Sequence, residues 1–290
     1  MNTAEQLNSN GVLLDLINGL VSLPDPVPLA VNIVATGIQM DSRLLQKGDL
    51  FLACFGNNHD AREYINEAVE MGVAAVLAES GGEWQGVRII QDVAVIAIDN
   101  LSAKLGEIAA RFYSHPSKRL SVIGITGTNG KTSCSQFIAQ ALANSGFSCG
   151  TMGTLGYGVY GELKETQLTT PDPVFTQMAL AEMAQDGIDP VVMEVSSVGL
   201  HQRRVKAVKF DTAIFTNLTR DHLDYHESMN DYGDNKKKLF TTEGLSRAII
   251  NLDDPYALSV INAIAPSVDV CTYSLKNSAA TVYAESLSLT

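Results

Sequence analysis

Apolar runs alternate with amphipathic stretches along most of the chain. Val12, Leu13, Leu16, Ile17 and Leu20 have the spacing of a short amphipathic helix, followed by the proline-rich stretch Pro24–Pro28. Asp49–Phe55 reads as a strand entering the polar turn Gly56–Asp60. A helix over Ala61–Met71 then leads through Gly72 into the apolar strand Val73–Leu77, and Val93–Ile98 reads as another strand. Strands alternating with helices predict an α/β domain over residues 1–98. The helical spacing of Leu101, Leu105, Ile108, Ala109 and Phe112 stops at His115-Pro116, and this helix is expected to bridge to a second α/β domain over 99–290.

That second domain opens with the apolar strand Leu120–Thr126, a glycine-rich loop and a helix from Lys131 to Asn144. Strands follow at Pro190–Val195, Asp211–Thr216 and Arg247–Asn251, with a helix over Pro173–Gln185 between two of the domain's strands. Thr281–Thr290 alternates like a strand, and the chain is expected to stop inside its second domain.

Composition narrows the functional classes. Hydrophobic residues at 46% and charged residues at 18% describe a globular chain rather than a disordered one. A net charge of −12 disfavours a general binder of nucleic acid or anionic membrane, so clustered Lys, Arg or Gly-rich loops gain in significance. Cys54, Cys134, Cys149 and Cys271 form no CxxC pair, which suits a reducing compartment better than a disulfide framework. No basic n-region with an apolar core opens the chain, and no apolar run reaches about 18 residues. A cytoplasmic location without membrane insertion is the expectation.

The strongest chemical signal is Gly124-Ile-Thr-Gly-Thr-Asn-Gly-Lys-Thr132. A loop between a buried strand and a helix aims backbone N–H groups and the positive helix end at one point, where a polyphosphate fits. Lys131 supplies a mobile positive charge for the β/γ-phosphates and Thr132 a hydroxyl for Mg²⁺. ATP and Mg²⁺ are therefore the expected ligands. The spacing departs from GxxxxGK[ST], because Gly124 lies one residue too far from Gly130 and Gly127 lies too near. An ordinary glycine-rich turn followed by a chance Lys-Thr is the competing reading.

Three further segments carry polar groups at strand ends. Glu194 closes an apolar strand before Ser196-Ser197, at the end of a parallel strand where ligands bind. His222 follows the strand ending at Thr216, and Lys236–Lys238 lie in an expected helix. Taken singly, these read equally as a solvated strand end, a surface histidine and a solvated helix face. Together with the loop they form an ordered series along one sheet edge.

The runs GITGTNGKT, MEVSSVGL, FTNLTRDHLDYH and YGDNKKKLF resemble the central domain of the Mur ligase family. The upstream DSR…GDLFLACFGNNHDAREYI resembles the N-terminal domain of its MurE branch. The resemblance implies an N-terminal α/β substrate domain and a mostly parallel, P-loop-type central ATPase domain. It also implies a third, C-terminal Rossmann-like domain in relatives, with a DNPR-type motif that this sequence does not contain. The activity implied is ATP-dependent joining of a diamino acid, meso-diaminopimelate or L-lysine, to UDP-MurNAc-L-Ala-D-Glu through an acyl phosphate, in peptidoglycan synthesis. The chain alone is expected to bind nucleotides at most weakly and not to turn over. A MurF-type ligase acting on the tripeptide, and a non-catalytic nucleotide-binding module, are the alternatives.

By the same resemblance, Gly127, Thr128, Asn129, Gly130, Lys131 and Thr132 hold ATP. Lys131 stabilises the transferred phosphoryl group, while Thr132, Glu194, His222 and a carbamylated Lys236 serve magnesium. Lys237 and Lys238 are the alternatives for the carbamate. Met40, Ser42, Asn57, Asn58 and His59 match uridine-side contacts; Thr169, Thr170, Ser196, Gln202 and Arg204 match contacts to the muramoyl-peptide. Val198 stands where the family usually has His, so that residue's contact is expected to be missing. A monomer is expected.

Overall fold

A computed structural model of the chain describes residues 10–56 and 59–285. It divides into two compact units, one of Met1–Pro116 with Pro173–Ala181, the other of Ser117–Asp172 with Glu182–Thr290. The sequence pattern put the division between 98 and 99.

The first unit is built on five strands: β1 (Gly37–Gln39), β2 (Asp49–Ala53), β3 (Ala75–Glu79), β4 (Val87–Ile90) and β5 (Val93–Ile98). Their order is β1-β2-β3-β5-β4, all parallel except the antiparallel β4–β5 pair. Continuous apolar runs suit strands covered on both faces. Leu50, Leu52, Leu77, Ile96 and Ile98 pack with α1 (Leu13–Ile17) and with Leu105, Ile108 and Phe112. The alternate positions Phe51, Val76 and Val95 pack with Ile65, Val69 and Trp84. The predicted helix over Ala61–Met71 begins as a 3₁₀ turn, Ala61–Tyr64, capped by Asp60, and becomes α2 only at Ile65–Glu70. The helix expected to bridge the domains is α3 (Leu105–Phe112), and it belongs to the first unit.

The second unit holds a nine-stranded sheet. Its parallel core comprises β6 (Val122–Thr126), β7 (Gly150–Gly153), β10 (Val191–Glu194), β11 (Thr212–Phe215), β12 (Arg247–Asn251) and β13 (Asp269–Ser274). β8 (Gly156–Val159) and β9 (Glu162–Lys164) add an antiparallel edge, and β14 (Val282–Tyr283) pairs parallel at the other edge. The order is β14-β13-β12-β11-β6-β10-β7-β8-β9. α4 (Lys131–Asn144) follows β6, and α5 (Pro173–Gln185), which belongs to the first unit as far as Ala181, has the span that its pattern predicts. α6 (Ser197–His201), α7 (Met229–Lys237) and α8 (Ala257–Ile261) complete the helices named here. Among the described residues of the expected terminal strand, Val282 and Tyr283 are extended, and 286–290 lie outside the described residues. Among the described residues, no helix is long and apolar enough to cross a membrane.

Candidate active site

β6 lies between β10 and β11, and the chain leaves it in one direction through α4 to β7 and returns on the other side through β11. Strand order therefore switches at β6, and a crevice opens beyond the C-terminal strand ends at such a switch. Glu194 pairs with Ile125 and Phe215 with Thr126, so the three strand ends are level. The loop 127–130, the turn after Glu194 and the segment after Phe215 meet there.

Gly130 precedes α4 at φ +86° and Gly127 sits at φ +152°, both in the region that favours glycine. A Cβ on Gly127 would lie 1.8 Å from Thr216 Oγ1, so only glycine lets the loop pass that hydroxyl. The loop is then stitched to the neighbouring segment. Thr128 N–H donates to Asn217 O (2.9 Å), Asn129 N–H to Asn217 Oδ1 (3.0 Å), and Thr216 Oγ1 to Asn129 O (2.7 Å). Thr219 N–H donates to Thr128 Oγ1 (2.9 Å), and the buried Tyr232 hydroxyl reaches the same oxygen at 3.2 Å.

Two ammonium groups rest on this loop. Lys131 Nζ donates to Gly127 O and Thr128 O, each at 2.9 Å, and Lys236 Nζ donates to Gly127 O at 2.8 Å. Lys236 is 1% exposed, over the Tyr232 ring at 4.3 Å. Burial, then the charge of Lys131, pulls its pKa down from 10.5 to about 7. Burial also lowers the Lys131 pKa, while Glu194 and Asp221 draw it back up. Lys237 behaves oppositely: its hydrogen bond with Asp234, in an ion pair at 2.6 Å, raises its pKa. Lys238 is exposed and donates to Asn235 Oδ1.

Glu194 is 2% exposed. Its carboxylate accepts from Thr132 Oγ1 at 2.8 Å, Thr154 N–H at 2.9 Å and Thr154 Oγ1 at 3.3 Å, all neutral donors. A buried carboxylate beside a hydroxyl is a hard-oxygen pair of the kind magnesium takes, so Thr132 and Glu194 fit that ion. Among the described residues no three His, Cys, Asp or Glu side chains converge on a metal position. The His222 ring lies 3.7 Å from Asp221 Oδ2 and 6.0 Å from the Tyr232 ring centroid, with the side chain 49% exposed.

The peptide-side candidates gather along the end of β10. Thr170 Oγ1 donates to Glu194 O at 3.0 Å and accepts from Ser196 N–H at 3.0 Å, while Thr169 Oγ1 lies 3.0 Å from Thr154 Oγ1. Ser196 caps α6 by accepting from Gly199 N–H. Arg204 donates to Thr170 O at 2.7 Å and, through Nε and Nη2, to Gln202 Oε1. Val198 lies within α6.

In the first unit, Met40 follows β1 directly and His59 stands in the turn after its parallel neighbour β2, so both lie at one sheet edge. Ser42 opens the 3₁₀ turn capped by Asp41, whose carboxylate also holds Arg43. Asn57 and Asn58 lie outside the described residues.

Several residues at the site escaped sequence reasoning. Thr154 holds Glu194, and Gly153 makes room for it, since a Cβ there would meet Glu194 Oε1 at 2.2 Å. Neither carries a motif, because β7 itself is unreadable from Gly-Thr-Met-Gly. Tyr232, Asn217 and Thr219 lie inside recognisable runs, but nothing in their spacing assigns them to the loop. His226 is buried between Ser197 Oγ (2.9 Å) and Asp231 Oδ2 (3.0 Å), tying α6 to α7.

Comparison with known proteins gives two family matches. Residues 125–290 match the Mur ligase middle domain, and 34–113 match the family described as Mur ligase family, catalytic domain. A Coxiella burnetii UDP-N-acetylmuramoyl-L-alanyl-D-glutamate–2,6-diaminopimelate ligase is 48% identical over 233 residues, covering 80% of this chain and 47% of its own. The Chromobacterium violaceum protein of the same name is 46% identical over 267 residues, covering 89% and 53%. A solved structure of a ligase with that name matches at TM-score 0.80 and 29% identity, over 94% of this chain and 54% of that one. MurF from Acinetobacter baumannii shares the fold at TM-score 0.67 and 19% identity, over 97% and 56%. The chain spans about half the length of the curated relatives it matches.

Proposed function

This chain belongs to the Mur ligase family, and from that premise we propose that it carries the N-terminal and middle parts of a MurE-type amide ligase. The reaction is ATP-dependent addition of 2,6-diaminopimelate, the amino acid in its relatives' names, to UDP-MurNAc-L-Ala-D-Glu. The observation that carries this reading is the meeting of a phosphate-type loop with a buried carboxylate: Thr132 Oγ1 donates to Glu194 Oε2 at 2.8 Å. MurF shares the fold but nothing at this site favours it.

In the proposed chemistry, an oxygen of the peptide's free carboxylate attacks the γ-phosphorus of ATP. The new O–P bond forms as ADP leaves with the bridging oxygen's electron pair. The amine of the diamino acid then attacks the acyl carbon, phosphate departs, and the amine's proton passes to solvent. Lys131 leaves its loop carbonyls to meet charge on the transferred phosphoryl group, and the loop N–H groups hold the remaining phosphate oxygens. Thr132 and Glu194 would hold magnesium, with His222 and a modified Lys236 as the further members; bound there, the ion offsets charge on the phosphates. Thr169, Thr170, Ser196, Gln202 and Arg204 would orient the muramoyl-peptide, Arg204 offering a planar fork to a carboxylate. Met40, Ser42, Asn57, Asn58 and His59 would serve the uridine end.

Lys236 is the lysine for the carbamate because its amine, with a pKa of about 7, is neutral in a large fraction of molecules at neutral pH. The Nζ lone pair attacks CO₂, an N–C bond forms, one C=O becomes a carboxylate oxygen, and a proton goes to solvent. A cation pressed against Lys131 thereby becomes an anion beside it.

The test is ATP-dependent phosphate release with the dipeptide substrate and diaminopimelate, on a chain extended to the length of its relatives. Turnover is expected with the dipeptide and not with the tripeptide. Lys236→Ala is expected to abolish it without rescue by bicarbonate; retained activity would place the carbamate elsewhere, and no turnover by the unaltered extended chain would sink the ligase reading.

A further inference from the structure

The second unit has a cavity of about 790 Å³ at the end of its sheet opposite the phosphate loop. Its walls come from segments that precede parallel strands: Lys118 before β6, Val205–Lys209 before β11, and Thr241–Gly244 before β12. The loop 127–130 follows the other end of β6, so the two sites do not overlap. Arg204, placed at the peptide side, does not line it.

The lining charge is unusual for this chain. Lys118, Arg203, Lys206, Lys209 and Lys238 face the cavity with a single carboxylate, Glu243, in a protein of net charge −12. Lys209 is engaged by Asp211 at 2.8 Å and Lys238 by Asn235. Lys118, Arg203 and Lys206 are exposed and have no side-chain hydrogen bond or ion pair among the described residues. The backbone of Arg203 and Lys206 is nonetheless fixed. Arg203 N–H donates to Leu200 O, Lys206 N–H to Arg203 O and Val208 N–H to Val205 O, and Arg203 is held at φ +57°, a conformation that non-glycine residues rarely take. Three unpaired cations lining one cavity repel one another, a cost that an anion relieves. Leu200, Val205 and Val208 give the cavity an apolar floor.

We propose that this cleft is a second anion site, taking a small organic polyanion of the nucleoside-phosphate class. Its phosphates meet Lys118, Arg203 and Lys206 and its apolar part rests on the Leu200–Val208 floor. The volume lies within the ~300–1,000 Å³ of small-molecule sites, room for a compact ligand. Both walls continue elements of the first site: α6 runs into Arg203, and Lys238 follows α7, which carries Lys236.

Isothermal titration with ADP tests this on the whole chain. Two binding events are expected in the unaltered protein. Lys131→Ala should remove the one at the phosphate loop, and Arg203→Glu with Lys206→Glu should weaken the other by about tenfold or more, as loss of two charge contacts implies. Thermal melts check that the exposed double variant stays folded, with Arg203→Gln and Lys206→Gln as the milder pair if it does not. A single event in the unaltered protein, or a second event indifferent to the double substitution, overturns the proposal. So does a polyglutamate peptide that competes with ADP and binds the cleft more tightly, which would make the cleft a dock for an acidic protein segment.

Discussion

Replacing Lys236 with methionine should stabilise the protein below neutral pH. The side chain is 1% exposed, and burial with the nearby Lys131 charge brings its pKa from 10.5 to about 7. Between those two values the unfolded chain holds a proton that the folded chain has shed. Stability therefore rises with pH across the window, and the group is at its most unfavourable below about pH 7. At ~1.4 kcal/mol per pH unit, the full cost of carrying the charge is about 5 kcal/mol. Methionine forfeits the hydrogen bond to Gly127 O and the contact over the Tyr232 ring, roughly 2–3 kcal/mol together. Lys236→Met should then gain about 2–3 kcal/mol at pH 6, lose ~1.4 kcal/mol of that advantage per unit above pH 7, and be the less stable form by pH 10. Urea unfolding in CO₂-free buffers, followed by circular dichroism from pH 6 to 10, measures this. Trp84, the sole tryptophan, lies in the first unit, so its fluorescence serves as an internal control for the unit that does not contain Lys236. A stability difference that does not change with pH, or a variant least stable at pH 6, would refute the reasoning.

Three other outcomes follow from the geometry. Gly153→Ala drives a methyl to 2.2 Å from the Glu194 carboxylate, which should cost about 2–4 kcal/mol through displaced hydrogen bonds; an unchanged melting temperature together with unchanged Mg-ATP affinity counts against it. Tyr232→Phe leaves the packing intact but removes the 3.2 Å contact to Thr128, so calorimetry should find a loss of about 1 kcal/mol in stability. Glu194→Gln keeps the shape and removes the charge; it should weaken nucleotide binding in the presence of magnesium far more than in its absence, and equal weakening in both would exclude Glu194 as a magnesium ligand.

The parts of this fold that could be read in advance share one property: strong local signals that agree with tertiary contacts. Val93–Ile98, Arg247–Asn251 and Pro173–Gln185 are legible because apolar runs or helical spacing coincide with burial, and Lys131–Asn144 because it follows the glycine-rich loop. β7, β8 and β9 were not, since Gly-Thr-Met-Gly and Gly-Tyr-Gly-Val hold strand conformation through their neighbours rather than through their own propensity. That gap hid Gly153 and Thr154, which position the buried carboxylate. The loop and Glu194 could be singled out because glycine, lysine and an acidic residue at a strand end carry chemistry in their identity, whereas Lys236 was singled out from Lys236–Lys238 only by the family resemblance. The direction His222 faces was not legible, because it depends on a φ of +50° that no residue pattern announces.

The hydrogen bonds that fasten the phosphate loop to Asn217, Thr219 and Tyr232 have a thermodynamic consequence. A loop already ordered this way has surrendered its conformational entropy during folding, so little remains to be lost when nucleotide arrives. Entry of the phosphates becomes a change of partner for one ammonium, from the carbonyls of Gly127 and Thr128 to phosphate oxygens. Calorimetry of such an exchange should show a small heat-capacity change, in contrast to the large negative value that accompanies a loop folding around its ligand.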